Sequence, residues 1–160
     1  MKKVAVVMGS DSDLPVVSRA ITQLKHFGIP YEARIISAHR TPQAAELLAK
    51  NAAADGFGVI IAAAGKAAHL GGVLAAYTTL PVIGLPIKSS LMDGLDSLLS
   101  MVQMPKGIPV ATVAVDGAEN AGLLAVQMLA IGDAELSKKL EQFKSEMAAE
   151  VVEKDLALEI

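Results

Sequence analysis

The sequence predicts an α/β protein built on a parallel, doubly wound five-stranded sheet. Three observations carry that expectation. Five short apolar runs recur along the 160-residue chain, each followed by a helix-length segment. The runs are continuous rather than alternating, as strands buried on both faces of a parallel sheet must be. Hydrophobic residues make up 52% of the chain and aromatics only 3%, so the core has to be packed from Ala, Val, Ile and Leu, which suits closely approaching layers. Repeated strand–helix alternation implies right-handed crossovers and gathers the strand-to-helix loops at the carboxyl edge of the sheet.

The elements follow in order. Val4 to Met8 is the first apolar run and stops at Gly9. Ser12 or Asp13 is placed to cap the next helix, Pro15 fits its first turn, and Gly28 ends it after Phe27. Tyr31 to Ile36 is the second strand. After the loop Ser37-Ala38-His39-Arg40, Thr41 is a plausible N-cap with Pro42 at the first helical position, and that helix runs to about Asp55-Gly56. Val59 to Ala63 is the third strand, Ala64 to Ala68 a loop of mostly small residues, and His69 to Tyr77 a short helix. Pro81 to Leu85 is the fourth strand, followed by a loop from Pro86 to Asp93 and a helix from Gly94 to Gln103. A proline-bounded connector leads to the fifth strand, Val110 to Ala114. Ala118 to Ile131 is helical, Gly132 interrupts, and a charged helix starts at Asp133 and ends near Asp155. The expected organisation is one domain, 1–160, with 133–160 as a C-terminal helical extension.

Composition narrows the function classes. With no cysteine, disulfides, thiolate catalysis and Cys-based zinc sites are excluded. The net charge of −3 gives no general case for nucleic acid. Residues 1–132 hold 10 basic and 9 acidic side chains, against 4 and 8 in residues 133–160, so the body of the chain has room for a local anion site. No signal-peptide pattern and no membrane-length apolar run occurs, and a cytoplasmic location is expected. The helix from Ala118 and the stretch from Ala67 to Ala76 are apolar nearly all round. Such helices are sandwiched within a domain or buried against another subunit, and in a chain this short we expect a homo-oligomer.

In doubly wound sheets ligands lie beyond the carboxyl ends of the strands, near a switch in strand order. That rule brings four loops together. Gly9-Ser10-Asp11-Ser12-Asp13 is suited either to helix capping or to holding a phosphate on hydroxyls and helix N–H groups. It matches neither common glycine-rich nucleotide fingerprint, which disfavours ATP and NAD. His39-Arg40 sets a group that titrates near neutrality beside a permanent cation able to fork a phosphate or carboxylate. His69 adds a second imidazole or a wall of the same cavity. Ser89, Ser90 and Asp93 follow the fourth strand, where ordinary loop and cap chemistry is the stronger reading. His26, at a helix end, reads as surface. The histidines and carboxylates lack metal-ligand spacing, and no metal is expected.

Four stretches in order carry a resemblance. They are Gly9 to Asp13; Ser37 to Pro42; Ala67-Ala68-His69-Leu70 with Gly72; and Ser100 to Val110, with its Gln103-Met104-Pro105 and Gly107-Ile108-Pro109. Together they resemble the N5-carboxyaminoimidazole ribonucleotide mutase (PurE) family of purine biosynthesis, over essentially the whole chain. The resemblance implies a flavodoxin-like, three-layer α/β/α sandwich, a homo-octamer, and a reaction without cofactor or metal. The reaction moves a carboxylate from the exocyclic nitrogen of an imidazole ribonucleotide to ring carbon C4, by decarboxylation and recarboxylation. Carried over by motif, His39 is the general acid/base, and Ser10, Ser12, Asp13 and Arg40 hold the ribonucleotide. Ser37 and Ala38 belong to the same pocket. Gly65, Ala67, His69 and Leu70 line the part that holds the carboxylate or released carbon dioxide. Where the family has Gly, this chain has Lys66, and where it has Pro, this chain has Gly71. Lys66 points to solvent, contacts another subunit, or adds a charge beside the carboxylate, the first being usual for a mobile lysine.

A related branch of the family carboxylates aminoimidazole ribonucleotide directly with carbon dioxide; Arg40-Thr41-Pro42 and Ala68-His69-Leu70 favour the mutase branch. A non-enzymatic flavodoxin-like ligand-binding module is the rival of another class. A phosphoacceptor receiver is disfavoured because the third strand ends in alanines rather than Asp. A flavin carrier is disfavoured by the scarcity of aromatics. A purely structural oligomer leaves the His39-Arg40 loop without a role.

Overall fold

The computed structural model describes residues 1–158. Five parallel strands form one sheet in the order β2-β1-β3-β4-β5. They are β1 (Lys3–Met8), β2 (Tyr31–Ile35), β3 (Phe57–Gly65), β4 (Val82–Ile87) and β5 (Ala111–Thr112). The helices are α1 (Leu14–His26), α2 (Pro42–Asn51), α3 (Leu70–Tyr77), α4 (Leu95–Val102), α5 (Ala118–Ala130) and α6 (Ala134–Leu156). This is the three-layer, flavodoxin-like arrangement expected.

The side-chain period of two sorts each central strand between the layers. Val4, Val6 and Met8 of β1, with Val59, Ile61 and Ala63 of β3, face a core shared with Val17, Ala20 and Leu24 of α1 and Ala121, Ala125 and Val126 of α5. Ala5 and Val7, with Ile60 and Ala62, face the opposite core with Ala45 and Ala49 of α2, Leu70 and Leu74 of α3, and Met101 of α4. Burial on both faces is why these strands read as unbroken apolar runs. Each fully buried isoleucine here contributes roughly 1.5–3 kcal/mol of transfer free energy. β2 differs. It is an edge strand, exposed over Glu32–Ile35.

The structure moves several boundaries. β3 extends through Ala64 and Gly65, because β4 pairs with it to the end, Ala64 opposite Pro86 and Gly65 opposite Ile87. β5 shrinks to two residues, although Val113 N–H still reaches Gly84 O (3.0 Å) and Asp116 N–H reaches Pro86 O (2.8 Å). α2 ends at Asn51, and turns carry the chain to Gly56. Single 3₁₀ turns, Asp11–Asp13 and Met92–Gly94, precede α1 and α4.

The apolar circumference of α5 has an explanation within the chain. α5 lies between α1 and α6, and Leu140 and Phe143 of α6 join the α5 core. At Gly122 a Cβ would stand 2.8 Å from Ala20 O and 2.9 Å from Gln23 Cβ, so only glycine lets α5 approach α1 this closely. Beyond Phe143, α6 is exposed on every face through Leu156, including Met147, Val151 and Val152. Among the described residues no helix is long and apolar enough to cross a membrane.

Candidate active site

The strand order explains where a cleft must form. The connection from β1 leads outward to β2, and the chain then crosses back to β3 on β1's other side. The loops after β1 and β3 therefore depart towards opposite layers, α1 on one face and α3 on the other, and leave a crevice between them. A cavity of about 550 Å³ fills this crevice.

The β1 loop is anchored by Gly9 N–H on Ala63 O at 2.9 Å. Ser10 is extended, and its hydroxyl accepts from Ser12 N–H (3.3 Å), while Asp13 Oδ2 accepts from Ser10 N–H (3.1 Å). Ser10 and Asp13 form this reciprocal capping box; Asp13 also stands at the N-cap position of α1, without a side-chain cap bond there, and Ser12 caps nothing. Ser12 donates its hydroxyl to Ser10 Oγ at 2.9 Å and remains exposed. Asp13 is only 7% exposed, and burial raises its carboxyl above the ordinary 3.8, opposed by backbone donors at Ser10 and Gly9.

The β2 loop closes on itself. Thr41 makes no side-chain cap for α2; its hydroxyl instead accepts from Ser37 N–H (3.0 Å) and donates to Ser37 O (3.1 Å). Thr41 stands at the expected N-cap position with Pro42 leading the helix, and its hydroxyl clasps the loop instead of capping. Ser37 Oγ accepts from Arg40 N–H (3.2 Å) and Arg40 Nε (3.3 Å), and Arg40 Nη2 reaches Gly9 O at 3.3 Å. The guanidinium therefore ties the β1 and β2 loops together, with N–H groups left over for an anion.

The β3 loop brings the second imidazole. Ala68 N–H donates to Lys66 O and His69 N–H to Ala67 O, both 2.9 Å, in a tight turn. Lys66 occupies the left-handed region at φ 56°, where residues other than glycine are uncommon. His69 immediately precedes α3 without a side-chain cap bond, so its ring is available. His39 Nε2 lies 2.9 Å from His69 Nδ1, with ring centroids 5.0 Å apart and planes at 81°. At this distance one ring donates and the other accepts, so the two imidazoles orient each other.

Every residue the sequence singled out for the pocket lines this one cavity: Ser10, Ser12, Asp13, Ser37, Ala38, His39, Arg40, Gly65, Ala67, His69 and Leu70. Gly9, Ala64, Ile87, Lys88 and Ser89 line it as well, and Lys66 joins them. The strand-end rule applied to β4 was the signal available for Ile87 to Ser89. Lys88 pairs with Asp93 at 2.9 Å, and its N–H donates to Asp116 Oδ1 at 2.8 Å. Ser89 donates to Asp96 Oδ1, which accounts for the loop chemistry expected there, while Ser90 and Asp93 do not line the cavity. His26 is remote. It packs edge-on to Phe27 and Phe143 at centroid distances of 4.9 and 5.8 Å. Among the described residues no cluster of three or more His, Asp or Glu could hold a metal ion. Gly71 has ordinary space around it, a Cβ meeting Val110 Cγ1 at 3.5 Å, so the departure there leaves the pocket wall intact.

Comparison with known proteins gives consistent results. The sequence profile of the AIR carboxylase family matches residues 3–150. An N5-carboxyaminoimidazole ribonucleotide mutase of Pyrococcus horikoshii is 57% identical over 156 residues, covering 98% of this chain and 88% of that protein. A phosphoribosylaminoimidazole carboxylase of Candida glabrata is 53% identical over 98% of this chain, a match to 27% of that longer protein. The crystal structure of Treponema denticola PurE superposes with a TM-score of 0.90 at 30% identity, covering 98% of both chains.

Proposed function

The chain belongs to the AIR carboxylase family, and from that premise we propose how its cavity works as a ribonucleotide mutase of purine biosynthesis. The enzyme is an isomerase that converts N5-carboxyaminoimidazole ribonucleotide to 4-carboxy-5-aminoimidazole ribonucleotide. The observation that carries the mechanism is the His39–His69 hydrogen bond of 2.9 Å at the meeting point of the strand-end loops.

The ribonucleotide phosphate binds Ser10, Ser12 and the free N–H groups of Arg40, which is already braced on Ser37 and Gly9. Asp13 accepts from ribose hydroxyls, as its buried position beside the serine turn allows. Ser37 and Ala38 form the wall under the base. Protonated His39 delivers a proton to the exocyclic nitrogen as the N–CO₂ bond breaks, and carbon dioxide leaves the carbamate. Ala64, Gly65, Ala67 and Leu70 confine that small neutral molecule beside C4. C4 then attacks it, forming the new C–C bond and an sp³ carbon that still carries its hydrogen. His39, now neutral, removes this proton, and the aromatic ring is restored. The proton given to nitrogen and the proton taken from carbon balance, so the enzyme returns to its starting state without a cofactor. His69 accepts the hydrogen bond of the His39 imidazolium and holds the ring in position. Proton transfer by a positioned side chain accounts for roughly 10²–10⁴ in rate.

We place the chain as one domain within a homo-octamer in the cytoplasm. Support for assembly comes from the distal half of α6, exposed from Lys144 through Leu156 with Val151, Val152 and Leu156 among its apolar side chains, and from exposed Leu47, Leu91, Met92, Leu99 and Val102. The test is an ultraviolet assay of the two carboxylated ribonucleotides with and without bicarbonate. Interconversion without added bicarbonate is expected. Strict dependence on it assigns the direct carboxylase reaction instead, and no turnover in either arm leaves a non-enzymatic binding module.

A further inference from the structure

Lys66 stands out among the residues of the cavity. It is exposed and holds the left-handed backbone conformation at φ 56°, where glycine fits without strain. Its backbone is locked there, because Lys66 O accepts from Ala68 N–H at 2.9 Å in the turn that delivers His69. Strained backbone retained at a cavity wall directs attention to the side chain it presents.

The charges around the cavity are unequally engaged. Arg40 is bonded to Ser37 and Gly9, and Lys88 is paired with Asp93. The Lys66 ammonium has neither ion pair nor hydrogen bond among the described residues. The acid lining the cavity is Asp13, on the β1 loop, which is buried and bonded to Ser10. Three cations and one buried acid suit a ligand with two anionic groups. The serine turn and Arg40 take the phosphate; the second anion falls to the β3 loop, where Lys66 precedes His69 by three residues. Both isomers of the proposed reaction carry a carboxylate, whereas the decarboxylated aminoimidazole ribonucleotide does not.

We propose that Lys66 is a specificity-determining residue whose ammonium pairs with the substrate and product carboxylate, so that the site selects carboxylated over decarboxylated ribonucleotide. The inference rests on the mutase reading. Carbon dioxide has no charge for Lys66 to pair with, so the contact stabilises both bound isomers and weakens as the bond breaks. Its loss therefore raises KM and leaves kcat undiminished or higher, as removal of a ground-state contact does.

Lys66→Met removes the charge and keeps the stem. We expect KM for both carboxylated ribonucleotides to rise roughly tenfold with kcat undiminished, as for loss of one charge-assisted contact to the bound carboxylate. Competitive inhibition by aminoimidazole ribonucleotide stays within about twofold, on the same reasoning. Lys66→Arg retains low KM. Lys66→Gly reproduces the KM rise of Met while raising Tm by roughly 2–4 °C through relief of the left-handed backbone, which separates binding from stability. Equal KM values for wild type and Lys66→Met, or an equal loss of affinity for the decarboxylated nucleotide, overturn the inference alone. A wild-type protein that does not interconvert the isomers removes the mutase reading and this inference together.

Discussion

Replacing His39 with Asn tests the proposed mechanism at its centre. The side chain is exposed, and its polar contact among the described residues is His69 at 2.9 Å, so little stability depends on it. Surface changes of this kind stay within about 0.5 kcal/mol. Asn keeps hydrogen-bonding capacity towards His69 but cannot give or take the proton. The loss expected in kcat is roughly 10²–10⁴, equivalent to about 3–5 kcal/mol of barrier. Ligand affinity, measured by equilibrium titration with the 4-carboxy product, should change by less than about threefold, because phosphate and ribose contacts lie on other residues. The two imidazoles share one hydrogen bond, so they act as a unit. His39→Asn combined with His69→Asn should then lose scarcely more rate than His39→Asn alone, since effects within a unit are far from additive. The assay is initial-rate ultraviolet absorbance in both directions. Near-wild-type kcat in His39→Asn, with the fold intact by circular dichroism, refutes the acid/base role. Fully multiplicative effects of the two replacements refute the coupling of the two imidazoles.

Gly122→Ala places a Cβ 2.8 Å from Ala20 O, a backbone atom that cannot rotate away; a loss of about 1–3 kcal/mol and a Tm several degrees lower are expected by calorimetry. For Asp13, burial raises the native carboxyl above its ordinary 3.8, so the native state binds this proton more tightly than the unfolded chain does. The resulting stabilisation is present below pH 3.8 and is lost as pH rises through the native value; Asp13→Asn should remove this fall, seen in urea midpoints measured across that window. Truncation after Lys144 removes the part of α6 that is exposed all round. The far-ultraviolet spectrum should retain the sheet signal while sedimentation shows a smaller assembly, and an unchanged sedimentation coefficient argues that α6 has no part in assembly.

Much of the site was legible because the chemistry is concentrated at strand ends. Once Val4 to Met8, Tyr31 to Ile36 and Val59 to Ala63 are read as parallel strands, Ser10, His39 and His69 must lie along one edge. The Ile87 to Ser89 wall was less visible. Pro81 and Pro86 bracket an apparent strand in the sequence, but β4 runs through Pro86 to Ile87, paired with β3 up to Gly65. The role of the Thr41 hydroxyl was hidden for a similar reason. A threonine before Pro has the local form of an N-cap, and only the turn back to Ser37 reveals that its hydroxyl is already engaged.

The sequence by itself determined the layered α/β class, the strand and helix order, the loops that carry chemistry, and the family motifs within them. These follow from period and local residue chemistry, which do not need distant partners. Tertiary structure decided what distance in the chain conceals. It put His39 against His69, turned Arg40 into a brace between two loops, and sandwiched α5 between α1 and α6. It also showed that Lys66 occupies a left-handed position. Each depends on contacts between segments far apart in sequence or on a backbone angle set by such contacts, and neither is encoded in the local pattern of side chains.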